Sequence, residues 1–219
     1  MAKSTPLDGT LPSGGIPVGS VNLVAGPPGT GKTTLVHQIL FHNAKLGARA
    51  IYFVGQGEPA LKMLRHQQQF GFFDPGMVGN LVLYEDIGNV AREEGLKGVL
   101  SIVARRVEER SPSYVVIDFF RGLKEIGQAR GENMRSFVHD VSAVLCVWNV
   151  TSFLLGEYSF REIRSLPEFS AADGIIRLSE VWDGNAVVRK IRVVKMRGQP
   201  SLPNDHTFNL DCRGIEVGA

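Results

Sequence analysis

Eight residues near the start, Gly26-Pro27-Pro28-Gly29-Thr30-Gly31-Lys32-Thr33, constrain this chain more than any others. They read G-x-x-x-x-G-K-T, the spacing of a phosphate-binding P-loop. The flanks suit it. Val21 to Ala25 is short, apolar and β-branched, which predicts a buried strand. Thr33 to Leu46 carries Leu35, Val36, Ile39 and Leu40 at helical spacing, with Gly47 as a stop. Strand, glycine-rich turn and helix is the arrangement that turns backbone N–H groups inward around phosphates. The helix N-terminus adds its partial positive charge. Lys32 is expected to reach the β- and γ-phosphates, and Thr33 to offer its hydroxyl to Mg²⁺.

The chain of 219 residues is 43% hydrophobic, enough for one sizeable core, so a single α/β domain is expected over 1–219. Residues 1 to 20 read as a lead-in punctuated by glycine and proline, with Ile16 stapled to the core. A formal charge of +2, from 24 basic and 22 acidic residues, supplies no general field for nucleic acid or a membrane. The N-terminus lacks an apolar signal region, and no apolar run approaches a membrane span, so a soluble, cytoplasmic protein is expected. Cys146 and Cys212 have no metal-ligand spacing. Cys146 lies in an apolar run and is expected to be a reduced core thiol.

Beyond the P-loop helix the pattern alternates. Ala50 to Val54, Leu81 to Tyr84, Tyr114 to Asp118 and Thr151 to Leu155 read as strands. Between them, helices are expected from Pro59 to Gln69 (Leu61, Leu64 and Arg65 on neighbouring turns), Ala91 to Arg110 and Asn133 to Val147. In the second of these, Leu96, Val99, Leu100, Val103 and Val107 form one stripe, and Glu93 and Glu94 occupy the first turn. Such alternation predicts a mainly parallel central sheet with helices on both faces. The tail differs: Gly174 to Leu178 and Val187 to Val194 flank an Asp-Gly turn, a C-terminal antiparallel hairpin signal. Phe208 to Leu210 and Ile215 to Val217 add short strands.

Asp118 ends an apolar strand, where a Walker B aspartate beside a P-loop would hold Mg²⁺. Alone, it would more simply cap the next turn. Glu58, just past the second strand, suits a general base that deprotonates water, or equally a first-turn glutamate favoured by the helix dipole. Lys195 and Arg197 stand two apart on a strand end and would share a face, open to a phosphate; a solvated basic strand end explains them as well. The five histidines form no metal cluster, and His37 and His42 are expected at or near the surface of the P-loop helix.

Taken together these segments resemble the RecA superfamily, and within it the KaiC-like ATPases. Gly14-Gly15-Ile16-Pro17 resembles that family's entry into its first strand, Gly26 to Thr34 its P-loop, and Gln69-Phe70-Gly71-Phe72 the close of its second helix. Val115-Val116-Ile117-Asp118 resembles its Walker B strand, and Ala172 to Leu178 with Lys195-Met196-Arg197-Gly198 its late hairpin. The resemblance implies a RecA-like P-loop NTPase fold. It also implies ATP and Mg²⁺ held between subunits of a hexameric ring, with Thr34 at the nucleotide, and Lys195 and Arg197 reaching a neighbour's γ-phosphate. Two positions depart from the family. Its paired glutamates after the second strand appear here as Gly57-Glu58, so the first carboxylate is missing, and Ser201 replaces a histidine common in the clock proteins.

Three functions are consistent with these residues: an ATPase, a nucleotide-gated assembly switch with little turnover, and a DNA recombinase or helicase relative. The loop expected after Asp118 holds Arg121, Lys124, Arg130 and Arg135, without aromatic interleaving beyond Phe119 and Phe120. Single-strand binding usually needs stacking platforms, so nucleic acid is not an expected partner.

Overall fold

The computed structural model of the chain describes residues 15–55, 60–184, 186–199 and 204–218. The apolar runs assemble into a nine-stranded sheet in the order β3-β2-β4-β5-β1-β6-β7-β8-β9. Its parallel part comprises β1 (Val21–Ala25), β2 (Ala50–Val54), β3 (Val82–Asp86), β4 (Tyr114–Asp118), β5 (Thr151–Gly156) and β6 (Gly174–Asp183). β1, β2 and β5 are buried at every position, which is why they read as continuous apolar runs and not as alternating ones. β7 (Ala186–Met196), β8 (His206–Asp211) and β9 (Gly214–Val217) extend the sheet antiparallel.

Helices cover both faces. On one, Leu35, Val36, Ile39 and Leu40 of α1 (Lys32–Ala44) pack with Val24, Tyr52, Val116 and Phe153, joined by Met63 of α2 (Ala60–Gln67). On the other, α3 (Gly88–Arg110), α4 (Phe120–Ala129) and α5 (Met134–Val147) bury Val99, Leu123 and Val138 against Leu23, Phe53, Ile117 and Leu154. Two short helices, α6 (Phe160–Ser165) and α7 (Pro167–Ala171), follow β5. Adjacent strand residues such as Leu23 and Val24 supply opposite cores because side chains alternate across a strand. Ile16 is buried in the first core, as a staple should be.

Several expectations are corrected. The hairpin is longer than its apolar segments: the β6–β7 pairing runs from Gly174–Met196 to Asp183–Ala186. Polar and basic residues continue the ladder because one face is wet. α4 replaces the loop expected after Asp118. Gly122 is there because a Cβ would meet the Phe119 ring at 1.9 Å, so the glycine marks close packing and not a loop. α3 begins at Gly88 and kinks at Gly95 (φ 70, ψ −157), so Glu93 and Glu94 precede a break and do not open the helix. The second arm instead has the Leu96 N–H donating to Glu132 Oε2 at 3.0 Å. In α2 the buried side is Met63 and Gln67, while Leu61 is exposed. Cys146 is exposed: the stripe of α5 that faces the core is Met134, Phe137, Val138, Val141 and Leu145, and residue 146 falls off it.

Candidate functional site

Three neighbouring strands end together. Asp118 pairs with Leu155 between β4 and β5, and Gly156 pairs with Ala25 between β5 and β1. The C-terminal ends of β4 and β5 therefore flank the loop that leaves β1. In open α/β sheets this is where ligands bind. A cleft of about 540 Å³ lies there, and its lining includes Gly29, Lys32, Thr33, Asp118, Arg121 and Glu157.

The loop has the backbone its glycines allow. Gly29 (φ 78) and Gly31 (φ 93) are left-handed, and Gly31 is the N-cap of α1. Lys32 folds back on its own loop, its Nζ donating to Gly26 O at 2.9 Å and Pro27 O at 2.8 Å. Thr30 Oγ1 also donates to Pro27 O, at 2.8 Å. Burial lowers the Lys32 pKa, and the charges of Glu157 and Asp118, in that order, oppose the shift. A partly desolvated cation facing two carboxylates, tethered only to neutral carbonyls, is available to a polyanion.

Thr33 Oγ1 donates to Asp118 Oδ2 at 3.2 Å, so the two residues expected at a metal do meet. The same Oδ2 accepts a 2.5 Å bond from the Tyr52 hydroxyl, a fully buried residue that sequence reasoning missed. Strand register carries this contact. Val54 of β2 sits opposite Asp118, and Tyr52, two residues earlier, is on the same face of the strand. His37 is also corrected, for it is wholly buried. Its Nδ1 donates to Thr33 O at 2.8 Å, and its ring stacks on Tyr52 with centroids 4.5 Å apart. Because the partner is a carbonyl, Nδ1 must carry the hydrogen. Burial pulls its pKa down to about 4, so the imidazole is neutral. The readable signal was its spacing, four residues after Thr33 and four before Phe41, on one face of α1.

Glu58 and Gly57 lie outside the described residues, as does Ser201. Lys195 and Arg197 do not line the cleft of their own chain. β7 ends at Met196, and the Arg197 N–H still donates to Asp173 O at 2.9 Å, so the two cations flank the strand end. They nevertheless converge on the segment between α7 and β6. Lys195 Nζ donates to Ser170 O (3.0 Å) and Ala172 O (2.6 Å), and Arg197 Nη1 to Asp173 Oδ1 (2.9 Å). Burial lowers the Lys195 pKa, and Arg197 lowers it further. Two of the basic residues after Asp118 are engaged within the chain: Arg121 bonds Glu157 O and Glu162, and Lys124 bonds Glu168.

A family model described as the KaiC ATPase matches residues 5–219. The chain is 26% identical to a UPF0273 protein of Thermotoga maritima, over 93% of this chain and 89% of that protein. It is 24% identical to the circadian clock oscillator protein KaiC of Parasynechococcus marenigrum, over 93% of this chain but only 42% of that longer protein. The structure resembles that of a KaiC-like protein from Pyrococcus horikoshii with a TM-score of 0.80 at 22% identity, covering 100% of this chain and 97% of that one.

Proposed function

This chain belongs to the KaiC family of ATPases, and on that premise we propose that it binds ATP with Mg²⁺ in the cleft over the P-loop and hydrolyses it. The observation that carries this reading is the meeting of Lys32, Thr33 and Asp118 in one cleft, with Thr33 bonded to Asp118. Gly26 to Thr34 would wrap the phosphates with backbone N–H groups, and Lys32 would exchange its two carbonyl partners for phosphate oxygens. Thr33 and Asp118 are hard oxygen donors and fit Mg²⁺. When bound, the ion would neutralise charge on the phosphates.

Tyr52 acts through Asp118. Its hydroxyl fixes one carboxylate oxygen, so Tyr52→Phe is expected to raise the Mg²⁺ concentration needed for ATP binding by about tenfold, the loss of one bond to a charged group. Nucleotide binding titrated against Mg²⁺ checks this; an unchanged midpoint would exclude the role.

The finer reading places the nucleotide between subunits of a hexameric ring. Its support is the position of Lys195 and Arg197, outside their own cleft, with the Arg197 side chain 59% exposed. There Arg197 would meet a neighbour's γ-phosphate as an arginine finger does. Arg197→Ala is then expected to leave ATP binding intact and lower turnover by about a hundredfold or more. Light scattering with and without Mg·ATP reports the ring directly. A wild-type chain that stays monomeric with ATP, or an Arg197→Ala chain with full turnover, removes the ring reading. A second function, a nucleotide-gated assembly switch, is favoured by Gly57 standing where the family's first glutamate would be. It predicts ATP binding and assembly with no turnover above that of Lys32→Ala.

A further inference from the structure

We propose that Glu157 is the catalytic base of the cleft, the carboxylate that takes the proton of the attacking water; this rests on the hydrolase reading above. Strand order argues for it first. β5 lies between β4, which ends at Asp118, and β1, which leads into the P-loop, and Glu157 is the first residue beyond β5.

The surroundings of Glu157 argue for it second. It lines the cleft with Lys32, and its charge acts on the Lys32 ammonium more strongly than that of Asp118. Its backbone is pinned, since Arg121 Nη1 donates to Glu157 O at 2.7 Å. The other carboxylates that line the cleft among the described residues are engaged. Asp118 accepts from Thr33 and Tyr52, and Glu125 pairs with Arg121 at 3.6 Å. Among the described residues, the Glu157 carboxylate is held by no hydrogen bond and no ion pair. A base needs oxygens free to accept a proton, within reach of the reacting phosphate.

The step balances without any further reactant. The water oxygen forms a bond to the γ-phosphorus as the bond from that phosphorus to the β,γ-bridging oxygen breaks. The leaving electron pair goes to the terminal phosphate of ADP, and the water proton passes to the Glu157 carboxylate.

Glu157→Gln keeps the size of the side chain and cannot take the proton. Equilibrium binding of Mg·ATP and steady-state turnover are compared for wild type, Glu157→Gln and Glu157→Asp. The expected result is an unchanged Kd and a kcat about a hundred- to ten-thousand-fold lower in Glu157→Gln. Glu157→Asp, which keeps a carboxylate, should turn over measurably faster than Glu157→Gln. Full turnover in Glu157→Gln overturns this proposal alone, and so does a parallel loss of binding and turnover. A wild-type chain that binds ATP without hydrolysing it overturns the hydrolase reading as well, so the two failures are distinguishable.

Discussion

Lys32→Ala is expected to lower kcat/KM for ATP by about a thousandfold or more, because one cation serves both binding and the charge that develops on the transferred phosphoryl group. Lys32 spends its hydrogen bonds on Gly26 O and Pro27 O, carbonyls of its own loop. Those bonds join a charge to neutral acceptors, whereas a phosphate oxygen would bring the opposite charge to the same donor. Burial already disfavours the ammonium, and Glu157 and Asp118 only partly compensate. A polyanion in the cleft therefore gains a cation that lacks its full share of water.

The same residue does little for the apo fold, since its bonds close a local loop. Thermal unfolding without ATP should hardly differ between Lys32→Ala and wild type. With ATP at a hundred times its Kd, wild type should gain about 2.7 kcal/mol by mass action, and the variant should gain almost none. Steady-state kinetics and a thermal-shift titration read both effects. A variant with near-normal kcat/KM would mean that the cleft does not place Lys32 on the phosphates. Glu157→Gln should separate from it cleanly, losing kcat while keeping the ATP-induced shift.

Comparison of these residues shows which parts of the site are local. The P-loop and Asp118 were legible because each is defined by a few consecutive residues: a glycine-rich turn, or an acidic residue closing an apolar run. The parallel centre was legible for the same reason, its strands being short apolar segments at helical intervals. Tyr52, His37 and Glu157 were not. Tyr52 reaches Asp118 only through the β2–β4 register, and Glu157 enters the cleft only because β5 is inserted between β4 and β1. Neither arrangement follows from spacing along the chain. His37 was not legible either, since a polar residue on the buried side of α1 finds its partners, Thr33 O and the Tyr52 ring, only in the fold. The expected loop after Asp118 is α4 instead, where the missing side chain of Gly122 makes room for the Phe119 ring, a contact invisible to local pattern. At Lys195 and Arg197 the spacing was legible, but their partners, residues 170–173, were not, because these meet β7 only through the fold.

Those contacts depend on α7, and α7 depends on a buried ion pair, which sets up the largest expected stability effect. Lys124 Nζ of α4 lies 2.6 Å from Glu168 Oε1 of α7, with the two side chains 15% and 2% exposed. Lys124→Met should destabilise the fold by about 3–5 kcal/mol, because it strands a carboxylate where water cannot reach it. Lys124→Met combined with Glu168→Leu removes both charges and should recover most of the loss. Urea denaturation of wild type and the two variants measures both effects. Turnover should follow the same order, since Ser170 O and Ala172 O hold Lys195, and Asp173 holds Arg197, directly beyond the helix that Glu168 anchors. If the double variant is as unstable as Lys124→Met, the lysine stem and not its charge secures α7, and the coupling from cleft to hairpin runs through packing alone.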